Sequence, residues 1–217
     1  MKERPILFSG AMVRALLAGT KTQTRRIAKL NDAGRLQLTC RQWHPNDRAA
    51  ILACPFGLAG DRLWVRETFK PIASGQVKGG YGKVRYGFAY QADGATKWAR
   101  HETEIVDLTG KPPTGPMQFQ DRPWKPSIHM PKRASRITLE ITDVHVQRLQ
   151  DISEADARAE GVMSVQSTEP GLESSPYYRS LMGPAELFRM LWESINGAGS
   201  WDANPWVWAL TFKRVTP

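Results

Sequence analysis

A lysine, a threonine and two arginines fall close together in the segment Gly19-Thr20-Lys21-Thr22-Gln23-Thr24-Arg25-Arg26. A lysine amine near a threonine hydroxyl can take its proton and create a nucleophile, provided that burial or a neighbouring cation lowers the lysine pKa. Lys21 and Thr24 are therefore the candidate base and nucleophile. The arginines add affinity for anions, and Arg26 is a candidate substrate ligand. The alternative is a solvated basic turn, which is the usual fate of a run of charges.

This basic turn follows an apolar run that is expected to be a helix over about residues 10 to 18. Met12, Ala15 and Leu16 have the spacing of one helical face. Gly19 stands where a left-handed C-terminal cap belongs. The sequence therefore places the candidate base and nucleophile on a tight turn at the end of a helix.

A second helix is predicted over residues 153 to 160, and it ends in a carboxylate. Ser153 is the expected N-cap and Gly161 is the expected terminator. Glu160 would lie at the C-terminus, where the helix dipole disfavours an anion. That unfavourable position favours a role in a site over a purely structural one. A third helix is predicted from Pro184 to Ile195.

Alternating apolar residues predict several strands. The clearest are at Ile6–Phe8, at 60–67, at 137–149 as one strand or two strands broken near Thr142 and Asp143, and at Trp206–Phe212. The order of elements lacks a βαβ rhythm. It therefore favours an α+β protein with a small mixed β-barrel of roughly five to seven strands.

Three further residues are candidates for binding a planar substrate. Glu67 shares a predicted strand face with Leu63 and Val65, so it would point inward and need a cation, for which Arg26 or Lys21 are the candidates. Trp64 and Trp124 are candidates for stacking on a base. For any single tryptophan core packing is the more common role, although Trp124 stands in a loop bounded by prolines.

Composition limits the class of partner and of chemistry. The 217 residues carry a net charge of +9, which favours a phosphate-bearing or polyanionic partner. Two cysteines, no signal-peptide pattern and no apolar span predict a cytoplasmic protein without membrane contact. No ligand cluster predicts a metal, and no glycine-rich fingerprint predicts a nucleotide cofactor.

One domain over 1–217 is expected, with a loop-rich insertion at about 70–123 that would act as a lid.

Four segments together resemble the ASCH family, and most of all its larger bacterial and prophage members. They are the Gly-x-Lys-x-x-Thr-x-Arg turn at 19–26, the Gly-Asp-x-Leu-x-Val strand at 60–65, the helix end Ala159-Glu160-Gly161 and the closing Trp-Val-Trp-x-Leu-x-Phe strand. The resemblance implies a PUA-like mixed β-barrel with flanking helices.

The same resemblance implies an activity, because the family includes small amidohydrolases that remove the acyl group from N4-acetylcytidine. Carried over residue by residue, their lysine, threonine and glutamate correspond to Lys21, Thr24 and Glu160. No cofactor is implied, and the partner would be a nucleoside. From the residues alone, Glu160 either holds Lys21 in place or moves a proton to the leaving amine. Other family members imply the alternative, an RNA-binding module or a ribonuclease.

Overall fold

The computed structural model describes residues 1–38, 41–78, 81–99, 103–106, 123–162 and 182–215. The chain divides into two compact units. The first comprises Met1–Ile6, Ala11–Trp64 and Ile137–Pro217, and the second comprises Leu7–Gly10 and Val65–Arg136. The segment expected to be an insertion lies in the second unit. Its expected role as a lid, and the expected single domain, stay predictions.

The described elements make the protein a mixed α+β structure in which strands predominate. The strands are β1 (Glu3–Leu7), β2 (Gln23–Ile27), β3 (Leu36–Leu38), β4 (Arg41–Trp43), β5 (Arg62–Arg66), β6 (Phe69–Lys78), β7 (Tyr81–Tyr90), β8 (Thr96–Trp98), β9 (Thr103–Val106), β10 (Thr138–Arg148) and β11 (Trp206–Val215). The α-helices are α1 (Gly10–Leu17), α2 (Glu154–Ala159) and α3 (Pro184–Asn196). Short 3-10 helices occupy Arg48–Ala53, Ser127–His129, Lys132–Ala134 and Leu149–Asp151.

The first unit is built on a five-stranded sheet in the order β1-β5-β10-β11-β2. The β5–β10, β10–β11 and β11–β2 pairs are antiparallel. Within the described residues this order begins at β1, ends at β2 and is not closed into a barrel. The 137–149 segment forms one strand, and its register with β11 shifts between Ile141 and Asp143, where the sequence predicted a break.

Local capping signals explain where the helices of the first unit end. Ser153 accepts a hydrogen bond from the Asp156 backbone N–H at the start of α2. Gly19 and Gly161 follow α1 and α2 with φ angles of +75° and +80°, in the left-handed region that glycine adopts without strain. α2 and α3 pack around one core, which includes Ala157, Phe188 and Trp192.

The second unit contains a four-stranded sheet in which β6, β8 and β9 all pair with β7. The described part of the expected loop-rich segment is thus mostly strand, because β6 and β7 pair continuously from Phe69–Tyr90 to Lys78–Tyr81. A small core of Phe69, Tyr90, Met130 and Ala134 lies in this unit. The sequence also predicts a loop at 111–116, where prolines and a glycine cluster, and another over 162–182. Residues 107–122 and 163–181 lie outside the described residues.

None of the helices in the described ranges is long and apolar enough to cross a membrane.

Candidate active site

The Lys21 amine in the first unit is completely buried and makes three hydrogen bonds. Nζ donates to the Gln23 carbonyl at 2.8 Å, to the Glu160 carbonyl at 2.9 Å and to Glu160 Oε2 at 2.7 Å. The Lys21 side chain is 0% exposed and the Glu160 side chain 3%. An ammonium has three donors, so this geometry satisfies all the donors of a charged Lys21 at once.

Close packing between the basic turn and the end of α2 brings these two residues together. The Thr22 backbone N–H donates to the Ala159 carbonyl at 2.8 Å. A Cβ atom on Gly161 would lie only 3.0 Å from the Lys21 Cβ and 3.2 Å from the Ala15 Cβ. The Glu160 carbonyl is one of the unpaired acceptors at the C-terminus of α2, and the Lys21 amine donates a hydrogen bond to it. A cation at this end offsets the unfavourable position of the Glu160 carboxylate in the helix dipole.

Arg25 is a second buried cation on the same carboxylate. Its Nη1 donates to Glu160 Oε1 at 3.1 Å and to Gln23 Oε1 at 2.6 Å, while Nη2 donates to Asp156 Oδ2 at 3.2 Å. The sequence indicated Arg25 only as a nearby cation that could lower the Lys21 pKa, and it did not place Asp156 in the site. The available signal was the spacing of Asp156 and Glu160, four positions apart on one helix and hence on one face.

Gln147 and His145 on β10 extend this network toward the surface. With its amide oriented to satisfy both neighbours, Gln147 accepts from Arg25 Nη2 at 3.0 Å and donates to His145 Nε2 at 2.8 Å. His145 Nδ1 lies 3.1 Å from Asp143 Oδ2. The His145 side chain is half exposed. Hydrogen bonds through Gln147 and Arg25 therefore connect a half-exposed imidazole to the buried Glu160 carboxylate.

The surroundings of Lys21 lower its pKa. Burial lowers the Lys21 pKa, and the positive charges of Arg26 and Arg25 lower it further, against the charge and hydrogen bond of Glu160. Burial likewise lowers the pKa of Arg26, and the Glu160 charge opposes this. For Asp156, burial acts to raise the pKa, but hydrogen bonds from Ser153 and Gln23 and the Arg25 charge leave it lowered.

Thr24 and Arg26 both lie on β2, opposite Leu210 and Trp208 of β11. Thr24 is buried and Arg26 half-buried. Side chains alternate along a strand, so Thr24 and Arg26 leave β2 on the side opposite Gln23 and Arg25. Lys21 stands just before β2. Lys21 therefore contacts Glu160 directly. Thr24 lies on β2, and among the described contacts it has no hydrogen bond to Lys21 or to Glu160.

Glu67 belongs to the second unit, and its partner is Arg136. Arg136 Nε donates to Glu67 Oε1 at 2.9 Å and Nη2 donates to Oε2 at 2.8 Å. The expectation that Arg26 or Lys21 would neutralise Glu67 is therefore wrong. Arg136 also binds Asp93 through two nitrogens and lies 4.1 Å above the centre of the Tyr90 ring. A planar guanidinium matches two carboxylates in a way that a lysine amine does not.

The two candidate stacking residues lie in different units. Trp64 is half-buried on β5 of the first unit, opposite Thr138. Trp124, in the second unit, is 39% exposed, and the Lys70 Nζ lies 5.0 Å from its ring centre. A cation thus already contacts the Trp124 ring. The structure therefore groups Lys21, Thr24, Arg26, Trp64 and Glu160 in the first unit, and Glu67 and Trp124 in the second.

Within the described ranges, no three His, Cys, Asp or Glu side chains are arranged to hold a metal ion. Comparison with known proteins adds no family: no protein-family model, no curated protein and no solved structure matches the chain.

Proposed function

We propose that the protein is an amidohydrolase that removes the acyl group from N4-acetylcytidine or a related N4-acylated cytidine. Thr24 is the nucleophile, Lys21 its base and Glu160 the proton shuttle. The observation that carries the proposal is the buried contact of 2.7 Å between Lys21 Nζ and Glu160 Oε2, at a lysine whose pKa is lowered by burial. In fold, the proposal takes the five-stranded sheet as the core of a PUA-like barrel of the ASCH type.

The first chemical step requires a neutral Lys21. The Lys21 ammonium passes one proton to Glu160 Oε2, its nearest acceptor, which leaves a neutral amine and a carboxylic acid. The amine then takes the proton of the Thr24 hydroxyl while Oγ1 attacks the acyl carbon. Lys21 is an ammonium again, and the amide has become a tetrahedral intermediate. Burial supports this exchange because it is the main cause of the lowered Lys21 pKa, to which the charges of Arg26 and Arg25 add.

Collapse of this intermediate breaks the bond between the acyl carbon and N4. The Glu160 acid gives its proton to N4, so cytidine leaves as the neutral amine and Glu160 returns to a carboxylate. Water then attacks the acyl-Thr24 ester, one of its protons returns to the Thr24 oxygen, and the acid product leaves. The net reaction consumes one amide and one water and produces cytidine and the carboxylic acid.

Arg26 and Trp64 are the candidate contacts for the cytosine ring, because both lie in the same unit as the reacting residues. Glu67 and Trp124 carry no part of this proposal. The carboxylate of the first is taken by Arg136, and Lys70 contacts the ring of the second. Thr24 is 1% exposed, so the acyl group must displace the packing over Thr24 to reach its hydroxyl.

The direct experiment mixes the purified protein with N4-acetylcytidine and follows the ultraviolet spectrum for release of cytidine. Thr24→Ala is expected to abolish release. Thr22→Ala is the matched control, because it removes the same hydroxyl from an exposed position two residues away and should retain activity. No release by the unaltered protein, or equal activity of both variants, would contradict the proposal. Absent release would favour the RNA-binding alternative, which the net charge of +9 supports.

The pH dependence provides a second readout of the same claim. Because the Lys21 pKa is lowered, the neutral amine becomes populated at a lower pH than for an ordinary lysine. The value of kcat/KM is therefore expected to rise with pH along a limb whose midpoint lies below the usual lysine range of about 10.4. A profile with no rising limb below that value would exclude Lys21 as the titrating base.

A further inference from the structure

The second unit contains a pocket of about 400 Å³ whose walls are aromatic and aliphatic. Tyr86, Phe88 and Trp98 line it together with Pro71 and Ile72. Tyr86 is 43% exposed and Trp98 36% exposed, which is a large apolar surface to leave in water. A volume of this size is in the range of small-molecule sites, roughly 300 to 1,000 Å³.

The strand register explains why the pocket forms here. Pro71, Phe88 and Lys97 are directly opposite one another across β6, β7 and β8, so they share one face of the sheet. Tyr86 lies two residues before Phe88 on the same face. Farther along this face, Phe69 and Tyr90 pack against Met130 and Ala134 in the small core. Pro71, Tyr86, Phe88 and Lys97 line the pocket from this face, whereas Ile72 and Trp98 are paired with Gly87 and belong to the alternate set of side chains.

Two cations line the pocket, and no acidic side chain is among its described lining residues. Lys97 Nζ donates to the Ser135 carbonyl at 2.6 Å and to the Arg133 carbonyl at 3.4 Å. These bonds engage two of the three ammonium donors and hold the charge at the pocket. The Arg133 side chain is exposed at the same place. A planar aromatic wall beside two cations is complementary to a planar ring that carries an anion.

We propose that this pocket binds a nucleotide, with the base on Tyr86 and Phe88 and the phosphate on Arg133 and Lys97. Stacking on aromatic side chains and charge-assisted bonds to phosphate are the two interactions that nucleotides offer. The basic net charge of +9 favours the same ligand class. The nucleotide comes either as a free molecule or as part of a single-stranded RNA. This inference does not depend on the proposed hydrolysis.

Adenine ligands test the pocket separately from the cytidine chemistry of the first unit. AMP, adenosine, inorganic phosphate and an oligoadenylate of eight nucleotides are titrated into the full chain by calorimetry. AMP should bind at least about tenfold more tightly than adenosine or phosphate, because only AMP has both groups. Tighter binding of the oligonucleotide assigns RNA as the source, and equal affinity per site assigns a free nucleotide. Absence of binding by both AMP and the oligonucleotide would overturn the proposal.

Substitutions then locate the site. Tyr86→Leu retains apolar bulk but loses the aromatic face, and it should weaken AMP binding by about 5- to 100-fold. Arg133→Ala should weaken AMP binding and reduce the salt dependence of oligonucleotide binding by about one unit in slope. Arg85→Ala removes the same charge from an exposed β7 residue outside the pocket and should bind as the unaltered protein does. Equal effects of Arg85→Ala and Arg133→Ala on binding would contradict the assignment. So would unchanged AMP affinity of a Tyr86→Leu variant whose urea unfolding matches that of the unaltered protein.

Discussion

Each unit of this protein buries carboxylates against cations, but the two networks use different cations. In the first unit Glu160 and Asp156 contact Lys21 and Arg25, and in the second unit Glu67 and Asp93 contact Arg136. Glu67 and Glu160 are nearly equally buried, at 1% and 3% exposed. Burial of an acid therefore does not distinguish the two networks, whereas the chemistry of the cation does.

The second network has the properties of a structural clamp. Burial opposes the charge on Arg136, but hydrogen bonds to Glu67 and Asp93 raise its pKa above that of an ordinary arginine. The Arg136 hydrogen bond is also the main reason that the Asp93 pKa is lowered. Arg136 and Asp93 thus stay charged over the physiological range, so neither is suited to proton transfer.

The first network differs because it contains a lysine. Burial lowers the Lys21 pKa, so this group can exchange a proton under conditions where an arginine cannot. The same burial lowers the stability of the folded protein, because two cations and the Glu160 carboxylate that they share are removed from water. The buried lysine is therefore the feature that distinguishes the first network, a candidate for proton transfer, from the arginine clamp of the second.

The largest effect is expected from Glu160→Ala. It leaves Lys21 and Arg25, both with 0% exposed side chains, without their shared carboxylate, and it should cost about 4 to 5 kcal/mol of unfolding free energy. Urea unfolding followed by circular dichroism measures this loss. Glu154→Ala removes an exposed acid from the same helix and should cost less than about 1 kcal/mol. A loss below 1 kcal/mol for Glu160→Ala would mean that the first network is not held by this carboxylate.

Glu67→Ala should destabilise the protein less, by about 3 kcal/mol, because Arg136 keeps Asp93 as a partner and is partly exposed. The double variant Glu67→Ala/Arg136→Ala should recover part of this loss, since it leaves no buried cation unpaired. The same urea titration measures all three proteins. Strictly additive losses would show that Glu67 and Arg136 are not coupled, and the description of a clamp would then be wrong.

A smaller effect is expected where no charge changes. Gly161→Ala forces a Cβ into a left-handed position and to within 3.0 Å of the Lys21 Cβ, so it should cost about 1 to 3 kcal/mol and also lower hydrolytic activity. Gly60→Ala is the control, because Gly60 has a φ of +88° but no atom within 4 Å of an added Cβ. Both variants carry the backbone strain. Only the first should displace Lys21, and equal activity of the two would contradict this.

Local signals account for the parts of this structure that the sequence predicted. Ser153 and Gly161 bound α2, Gly19 follows α1, and the irregularity of β10 near Asp143 coincides with a break in alternation. Each of these depends on a few neighbouring residues, whose cap or turn chemistry operates whatever the rest of the chain does.

Long-range pairings could not be predicted in the same way. The approach of Glu160 to Lys21 was expected only from a family resemblance, because no periodicity links residues so far apart. Arg136 as the partner of Glu67 was missed for the same reason, since many cations were equally possible. The contacts of Arg25 with Glu160 and Asp156 were missed because they depend on how α2 packs on β2, which no local pattern encodes.

The most direct test of the central claim is the activity of Lys21→Arg toward N4-acetylcytidine. Arginine keeps the positive charge and has donors for the Glu160 carboxylate, but it stays protonated and cannot accept the Thr24 proton. Circular dichroism and urea unfolding first establish that the variant is folded. The value of kcat/KM is then expected to fall to background, which would distinguish the first network from the arginine clamp of the second. Full activity of the folded Lys21→Arg variant would show that Lys21 is not a general base, and the proposed mechanism would be wrong.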